Sequence, residues 1–281
     1  MTVHSAKSEL YVPERGVKDV VLDVAGKLKL GNNESEKIAR LAADIERNDR
    51  LPSYRSSRIK GNSIVLECYE TDYATNLAML KGEIPSESVK PICVIGIPEL
   101  RNGVEASHSN PAHVYRVLRQ SIAVGKVNKA YSTGKLQGIP AGLVNINELD
   151  SSMSPLASFY NELFEETGLK DTDVDSLKFI GMVYDMEHSQ LALAYRYDTN
   201  RNRADFEKGM ATAKDRGEYG ELHTIEVTSI PTDLVGFVIK ENNALSHCKG
   251  AVALYAIDKF LDYHISDLLV GKQGKLFSCF K

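Results

Sequence analysis

The run Ile92-Cys93-Val94-Ile95-Gly96-Ile97 restricts the fold of this chain more than any other feature. It is short, rich in β-branched residues and has no polar position. A strand that does not alternate has no face to give to water, so it must be covered on both sides. Helical and extended patterns alternate along the chain, and the natural solution is an α/β fold: a mixed sheet packed between helices. The chain has 281 residues, of which 43% are hydrophobic and 26% charged, enough for one large domain or two small ones.

The other elements follow from periodicity. Residues 16–28 and 34–49 read as amphipathic helices. The second repeats Ile38, Leu41, Ala42 and Ile45 on one face, with Asn33 as cap and Glu36 three positions on. Ile64–Tyr69 reads as a strand, and Thr71-Asp72-Tyr73-Ala74 as the start of a short helix. Lys81–Lys90 mixes Gly, Pro, Ser and charge, and is the natural joint. The expected division is therefore an N-terminal α/β extension over residues 1–89 and a main domain over 90–281. In the latter, Asn102-Gly103 signals a turn and His113–Gln120 a strand. A loop of some fifteen residues containing Gly125 and Gly134 then leads to Pro140-Ala141-Gly142. Ser154-Pro155 opens a helix, and Leu156, Phe159, Leu163 and Leu169 give its apolar side. Leu177–Tyr184 and Leu191–Tyr197 form a strand pair about a turn at Met186–Ser189. A helix over 203–214, a strand over 223–227 and helices near 232–240 and 247–264 complete the order.

Several function classes are excluded at this stage. Net charge is −4, with acids and bases mixed along the chain, so no basic groove for nucleic acid is expected. No apolar run approaches membrane-span length, and the first residues lack the apolar core of a secretory signal. Cys68, Cys93, Cys248 and Cys279 are scattered, with no C-x-x-C pair for zinc. They read as reduced thiols of a cytoplasmic protein.

Chemistry is concentrated in Asn161-Glu162-Leu163-Phe164-Glu165-Glu166-Thr167-Gly168-Leu169. Glu162, Glu165 and Glu166 stand at i, i+3 and i+4, on one side of a helical turn. Their repulsion weakens the bare helix, and a divalent cation would relieve it. Hard cations take oxygen ligands and commonly share them with phosphate. Gly168 is an ordinary helix stop, and taken alone such a string is often solvated surface.

With Pro140-Ala141-Gly142 before it and Glu148 six places after Gly142, the stretch resembles the box of the Nudix hydrolases. That box is a glycine, a glutamate at the same spacing, then Arg-Glu-aliphatic-x-Glu-Glu-x-Gly-aliphatic. Gly142 and Glu148 match its first half; Glu162, Leu163, Glu165, Glu166, Gly168 and Leu169 match its second. Twelve residues separate Glu148 from the arginine position where the family has seven, and Asn161 occupies that position. Lengthening a loop costs little entropy. The resemblance spans about residues 90–265 and implies a Nudix-type α/β/α sandwich with a mixed sheet, the N-terminal region standing as a small α/β addition.

The implied activity is Mg2+- or Mn2+-dependent hydrolysis of a phosphoanhydride bond in a nucleoside diphosphate linked to another group. Pro-Ala-Gly before the box is reminiscent of ADP-ribose and ADP-sugar pyrophosphatases. The metal ligands carried over are Glu162, Glu165 and Glu166, with the Gly142 carbonyl; Glu162 could instead act as a base. Some family members place the base on a later loop, which here is Asp215–Glu221 with Glu218 and Glu221. The ordinary reading of that loop is solvated acids. Arg116 and Arg119 could meet a diphosphate, but their parity on a strand lets only one face a given side. Arg55 and Arg58, in a stretch like the lead-in of some larger Nudix proteins, could fork onto phosphate; equally they are surface arginines of a connecting loop. His188 and His223 could titrate near neutrality. Tyr131, Tyr184 and Tyr195 are open between base stacking and the core. Residues 1–89 are open between a homodimer contact and a lid. The competing account, favoured by Asn161 and the long loop, is a Nudix-fold nucleotide-binding or regulatory protein with weak turnover. An α/β module with a fortuitous acidic helix is the third account.

Overall fold

The computed structural model describes residues 8–13, 17–106, 116–128, 132–227 and 232–260, with the backbone path alone for 102–106 and 116–119. The fold is α/β. Its main sheet has eight strands. Six run in the order β1 (Ser8–Tyr11), β9 (Val174–Asp185), β10 (Gln190–Thr199), β5 (Ile92–Ala106), β6 (Arg116–Val127), β11 (Tyr219–Val227). Two short strands hang from this path: β7 (Leu136–Gln137) on β6, and β8 (Ala141–Leu143) on β5. β10 and β5 are parallel and the other pairings are antiparallel, so the sheet is mixed.

The apolar run occupies the expected place. Ile92, Val94 and Leu100 of β5 enter one core, and Cys93, Ile95 and Ile97 enter the other. The first core packs under α3 (Leu156–Thr167) and α4 (Arg203–Thr212) through Phe159, Leu163, Phe206 and Met210. The second packs under α5 (Thr232–Lys240) and α6 (Ser246–Phe260) through Leu234, Phe237 and a nearly unbroken buried α6. Successive side chains of a strand point to opposite faces, so a non-alternating run feeds both layers. The β9–β10 hairpin also lies as expected.

A smaller sheet, ordered β2 (Asp19–Lys27), β4 (Ser63–Asp72), β3 (Arg50–Lys60), lies against the first core. Val20, Leu22, Ile64, Leu66 and Cys68 share that core with β5, β10 and α3. α1 (Asn32–Asp44) and α2 (Tyr73–Leu80) make a third cluster with Ile84 and Val89.

Several sequence expectations need correction. Residues 16–28 are not a helix: Asp19–Lys27 is a strand paired in parallel with β4. The stretch around Arg55 and Arg58 is not a loop but strand β3. Asn102-Gly103 does not turn the chain; β5 runs on through a bulge between Asn102 and Val104. β6 begins at Arg116 and carries Gly125 inside it; residues 113–115 lie outside the described residues. The cap of α1 is Gly31, whose N–H donates to Glu34 at 2.8 Å, rather than Asn33. Pro155 stands one place before α3, with its carbonyl accepting the Phe159 N–H at 3.1 Å.

A division at residue 90 is crossed by the shared core, by the Arg50–Asn147 hydrogen bond and by backbone connections that include the following two. β1 pairs with β9 of the main sheet, Ser8 opposite Asp185 and Tyr11 opposite Met182. The long segment before α3 reaches back to the small sheet, where Leu22 donates its N–H to the Met153 carbonyl at 2.9 Å. The segment between Glu148 and α3 thus bonds to β2.

A candidate acidic site on helix α3

α3 presents Glu162 and Glu166 to β8, and the β7–β8 connection that leads into it is clipped to β5. Gly96 donates to the Pro140 carbonyl at 2.7 Å, Ile139 donates to the Gly96 carbonyl at 2.8 Å, and Tyr197 Oη donates to the Ile139 carbonyl at 2.8 Å. Phe159 and Leu163 bury the other side of α3, and Gly168 ends it at φ +69°, a left-handed position suited to glycine.

Glu166 is the centre of the site. Its carboxyl is buried; the Ala141 N–H donates to Oε2 at 3.2 Å, and Tyr219 Oη lies 3.1 Å from the same oxygen. Tyr219 Oη is also 3.2 Å from the Gly138 carbonyl. A phenol has one proton, so it serves one acceptor at a time. Burial holds the pKa of Glu166 well above the ordinary carboxylate range; the negative charges of Glu218 and then Glu162 push the same way, against the hydrogen bonds from Tyr219 and Ala141.

Glu162 lies against Gly142. A methyl group on Gly142 would stand 1.9 Å from Glu162 Oε1, so glycine is what allows the carboxylate this close to the β8 backbone. Glu218 is buried and just precedes β11.

Glu162 and Glu166 thus meet β8 at Gly142 and Ala141, and Glu218 is near enough to Glu166 for its charge to act on it. The remaining candidates whose side chains are described do not join them. Glu165 turns away to Lys214, 2.5 Å from its Nζ. Glu221 is exposed on β11 and pairs with Lys126 at 3.5 Å. Glu148 accepts from Ser158 Oγ at 3.0 Å, bracing the first turns of α3. Arg55 stands 5.5 Å over the Tyr69 ring, and Arg58 pairs with Glu67 and with Asp23, so both are committed within the small sheet. Arg116 and Arg119 fall where the side chains are not described, and Tyr131 lies outside the described residues. Tyr195 is core, packed on Phe159 and Phe179; Tyr184 sits under Lys90; His223 lies beside Phe237. Tyr219 escaped the sequence reading. Its position between the acidic loop and a strand was the available signal.

Carboxylates and a backbone carbonyl are donors of the type a hard cation takes, and a cation would offset the burial of Glu166 and its repulsion by Glu218 and Glu162. Among the described residues, however, no three His, Cys, Asp or Glu side chains are arranged to hold a metal ion. The donor chemistry fits; closure on one point requires the glutamates to reorient.

A cavity of about 470 Å3 begins at Ala141 and Gly142 and runs over Cys93 and Val94 towards α2, lined there by Leu77 and Lys81. His188 and His247 close its other wall. No helix among the described residues is long and apolar enough to cross a membrane.

No family model matches this sequence, and no curated protein matches it. Among solved structures, the chain is similar to the crystal structure of a MutT/nudix family protein from Enterococcus faecalis, at 12% identity and a TM-score of 0.39, over 73% of each chain.

Proposed function

We propose that the chain is a Nudix-type hydrolase that cuts a phosphoanhydride bond in a nucleoside diphosphate linked to another group. The observation that carries this is the buried Glu166 at Ala141, with Glu162 against Gly142 and the charge of Glu218 acting on it. Such a group of acids is costly by itself. The match of Gly142, Glu148, Glu162, Glu165, Glu166 and Gly168 to the box supports the same reading.

Glu162, Glu166 and Glu218, with the Gly142 carbonyl, would hold Mg2+ or Mn2+. When bound, such an ion neutralises phosphate charge and makes hydroxide available near neutral pH. The residues do the rest. Gly142 lets the Glu162 carboxylate reach β8, the Ala141 N–H and Tyr219 Oη fix Glu166, and whichever of Glu218 and Glu162 does not ligate the ion would take the proton of the attacking water. The cavity beyond Gly142 would take the rest of the ligand.

The rival reading is a Nudix-fold nucleotide-binding protein with little turnover. The Glu165–Lys214 pair and the unclosed acids favour it. A panel of nucleotide sugars, dinucleotides and nucleoside triphosphates with Mg2+ and with Mn2+ separates the two. Turnover that disappears in Glu166→Gln and Glu162→Gln supports hydrolysis. Nucleotide-dependent thermal stabilisation without product supports binding alone.

A further inference from the structure

The cavity that starts at Ala141 and Gly142 is walled by aliphatic side chains, amides and imidazoles. Among the described residues that line it there is no carboxylate, and Lys81, which is exposed, is the one ammonium or guanidinium group. Leu77, Val94, Leu143 and Leu245 supply apolar wall. Two polar side chains in this wall are more than nine-tenths buried. Asn76, on α2, is 4% exposed, and His247, in the first turn of α6, is 7% exposed.

The bonding of His247 fixes what its free nitrogen can do. Asp185, at the end of β9, has no exposed surface, and its Oδ2 lies 3.1 Å from His247 Nδ1 and 2.9 Å from His188 Nδ1. Burial raises the pKa of Asp185, but the hydrogen bonds from His188 and His247 outweigh it and hold the carboxyl below its usual range. An ionised carboxylate only accepts, so the His247 ring carries its proton at Nδ1, and Nε2 of the neutral ring is a lone pair that only accepts. Asp185 is the single hydrogen-bond partner of that ring among the described residues. The Asn76 amide has no side-chain hydrogen bond at all among the described residues. A buried amide without a partner is costly, and a leucine of similar volume in its place would not be.

These groups select a ligand by its hydrogen bonds. Whatever reaches His247 Nε2 must donate a proton. Whatever reaches Asn76 can accept from its NH2 group or donate to its carbonyl. An anion would face the Nε2 lone pair, and a cation would find no carboxylate in the wall. A purely apolar molecule would leave both side chains unpaired. An uncharged amide supplies an N–H and a C=O side by side, and the apolar wall accepts the rest of its body. The volume of about 470 Å3 is in the range of small-molecule sites.

We propose that this cavity binds an uncharged ligand through an amide group, the amide N–H donating to His247 Nε2 and the amide carbonyl accepting from the Asn76 side chain. Glu162, Glu166 and Glu218 do not line the cavity, so the proposal stands or falls apart from the hydrolase reading. The full chain is titrated, without divalent cation and with ligand-detected NMR, against two pairs of compounds. 1-Methyluracil and 1,3-dimethyluracil present a ring amide with and without its N–H; nicotinamide and its N,N-dimethyl derivative do the same for an open carboxamide. In at least one pair the N–H compound should bind at least about tenfold tighter, because methylation removes the donor and leaves Nε2 buried without a partner. The pair that shows the difference tells a ring amide from a carboxamide. In 15N-labelled protein the bound compound should shift the unprotonated ring nitrogen of His247, assigned through its ring couplings. Asn76→Leu should weaken binding about tenfold while Tm holds or rises, whereas a structural amide would lower Tm. Glu162→Gln should lose any turnover and keep amide binding, so failure of one reading is visible apart from failure of the other. No binding by either N–H compound, equal affinity within both pairs, or undiminished binding or a marked fall in Tm in Asn76→Leu overturns the proposal.

Discussion

Gly142→Ala tests the placement of Glu162 without any assay of activity. The new methyl would stand 1.9 Å from Oε1, 2.1 Å from Cδ and 2.7 Å from Cγ of Glu162, so the whole carboxyl end must move. Overpacking of this kind costs about 1–3 kcal/mol. Glu162 is half-buried and flexible, which places the cost in the lower half of that range. Gly142 has no left-handed φ, so alanine also removes freedom from the unfolded chain and returns about 0.4–1 kcal/mol. The net expectation is a loss of about 1 kcal/mol, or roughly 2–4 °C in Tm for a chain of this size. In a Glu162→Ala background the clash has no partner, and Gly142→Ala should become neutral or slightly stabilising. The coupling read from urea unfolding of the four proteins is then about 1–2 kcal/mol. A coupling below about 0.5 kcal/mol, the level at which independent sites add, would show that the Glu162 carboxyl does not rest on β8.

Tyr219→Phe removes the phenol that serves Glu166 and Gly138, and chemical denaturation should show a loss of about 1–2 kcal/mol. Asp185→Asn strips the charge shared by His188 and His247 and should cost roughly 3 kcal/mol at neutral pH. Because the folded-state pKa of Asp185 is depressed, the ionised carboxylate contributes its stability above the unfolded pKa and loses it as pH falls through the folded one. The gap between wild type and Asp185→Asn should therefore narrow on acidification below about pH 4, as followed by urea midpoints. Lys214→Ala breaks an exposed pair with Glu165 and should change stability by less than about 1 kcal/mol; a larger loss in thermal melts would place Glu165 in a more demanding role.

The parts of the fold legible from sequence were those whose local pattern and tertiary surroundings agree. The run at Ile92–Ile97 has no polar face and is buried on both sides. α3 carries its apolar stripe, and Gly168 ends it where expected. The errors arose where partners distant in sequence decide the outcome. Val20, Leu22 and Val24 alternate, but Val21 and Ala25 blur the period, and pairing with β4 makes the segment a strand. β3 looked like a loop because its second half is exposed, yet backbone bonding to β4 holds it extended. In the site, Glu162, Glu166 and Glu218 were legible as acids in a motif and in a following loop. That Glu165 leaves the group depends on Lys214, brought near by the end of α4. The Asp185 pair was invisible to any local reading, since His247 lies 62 residues further on.

Ser8–Tyr11 leaves the ribosome long before Met182–Asp185, the residues it pairs with, have been translated. Its backbone groups must stay hydrated while the rest of the sheet assembles, and until it docks, β9 shows an open hydrogen-bonding edge to every neighbouring nascent chain. The earliest strand among the described residues thus covers the β9 edge of the sheet, and it lands beside Asp185, which binds His188 and His247.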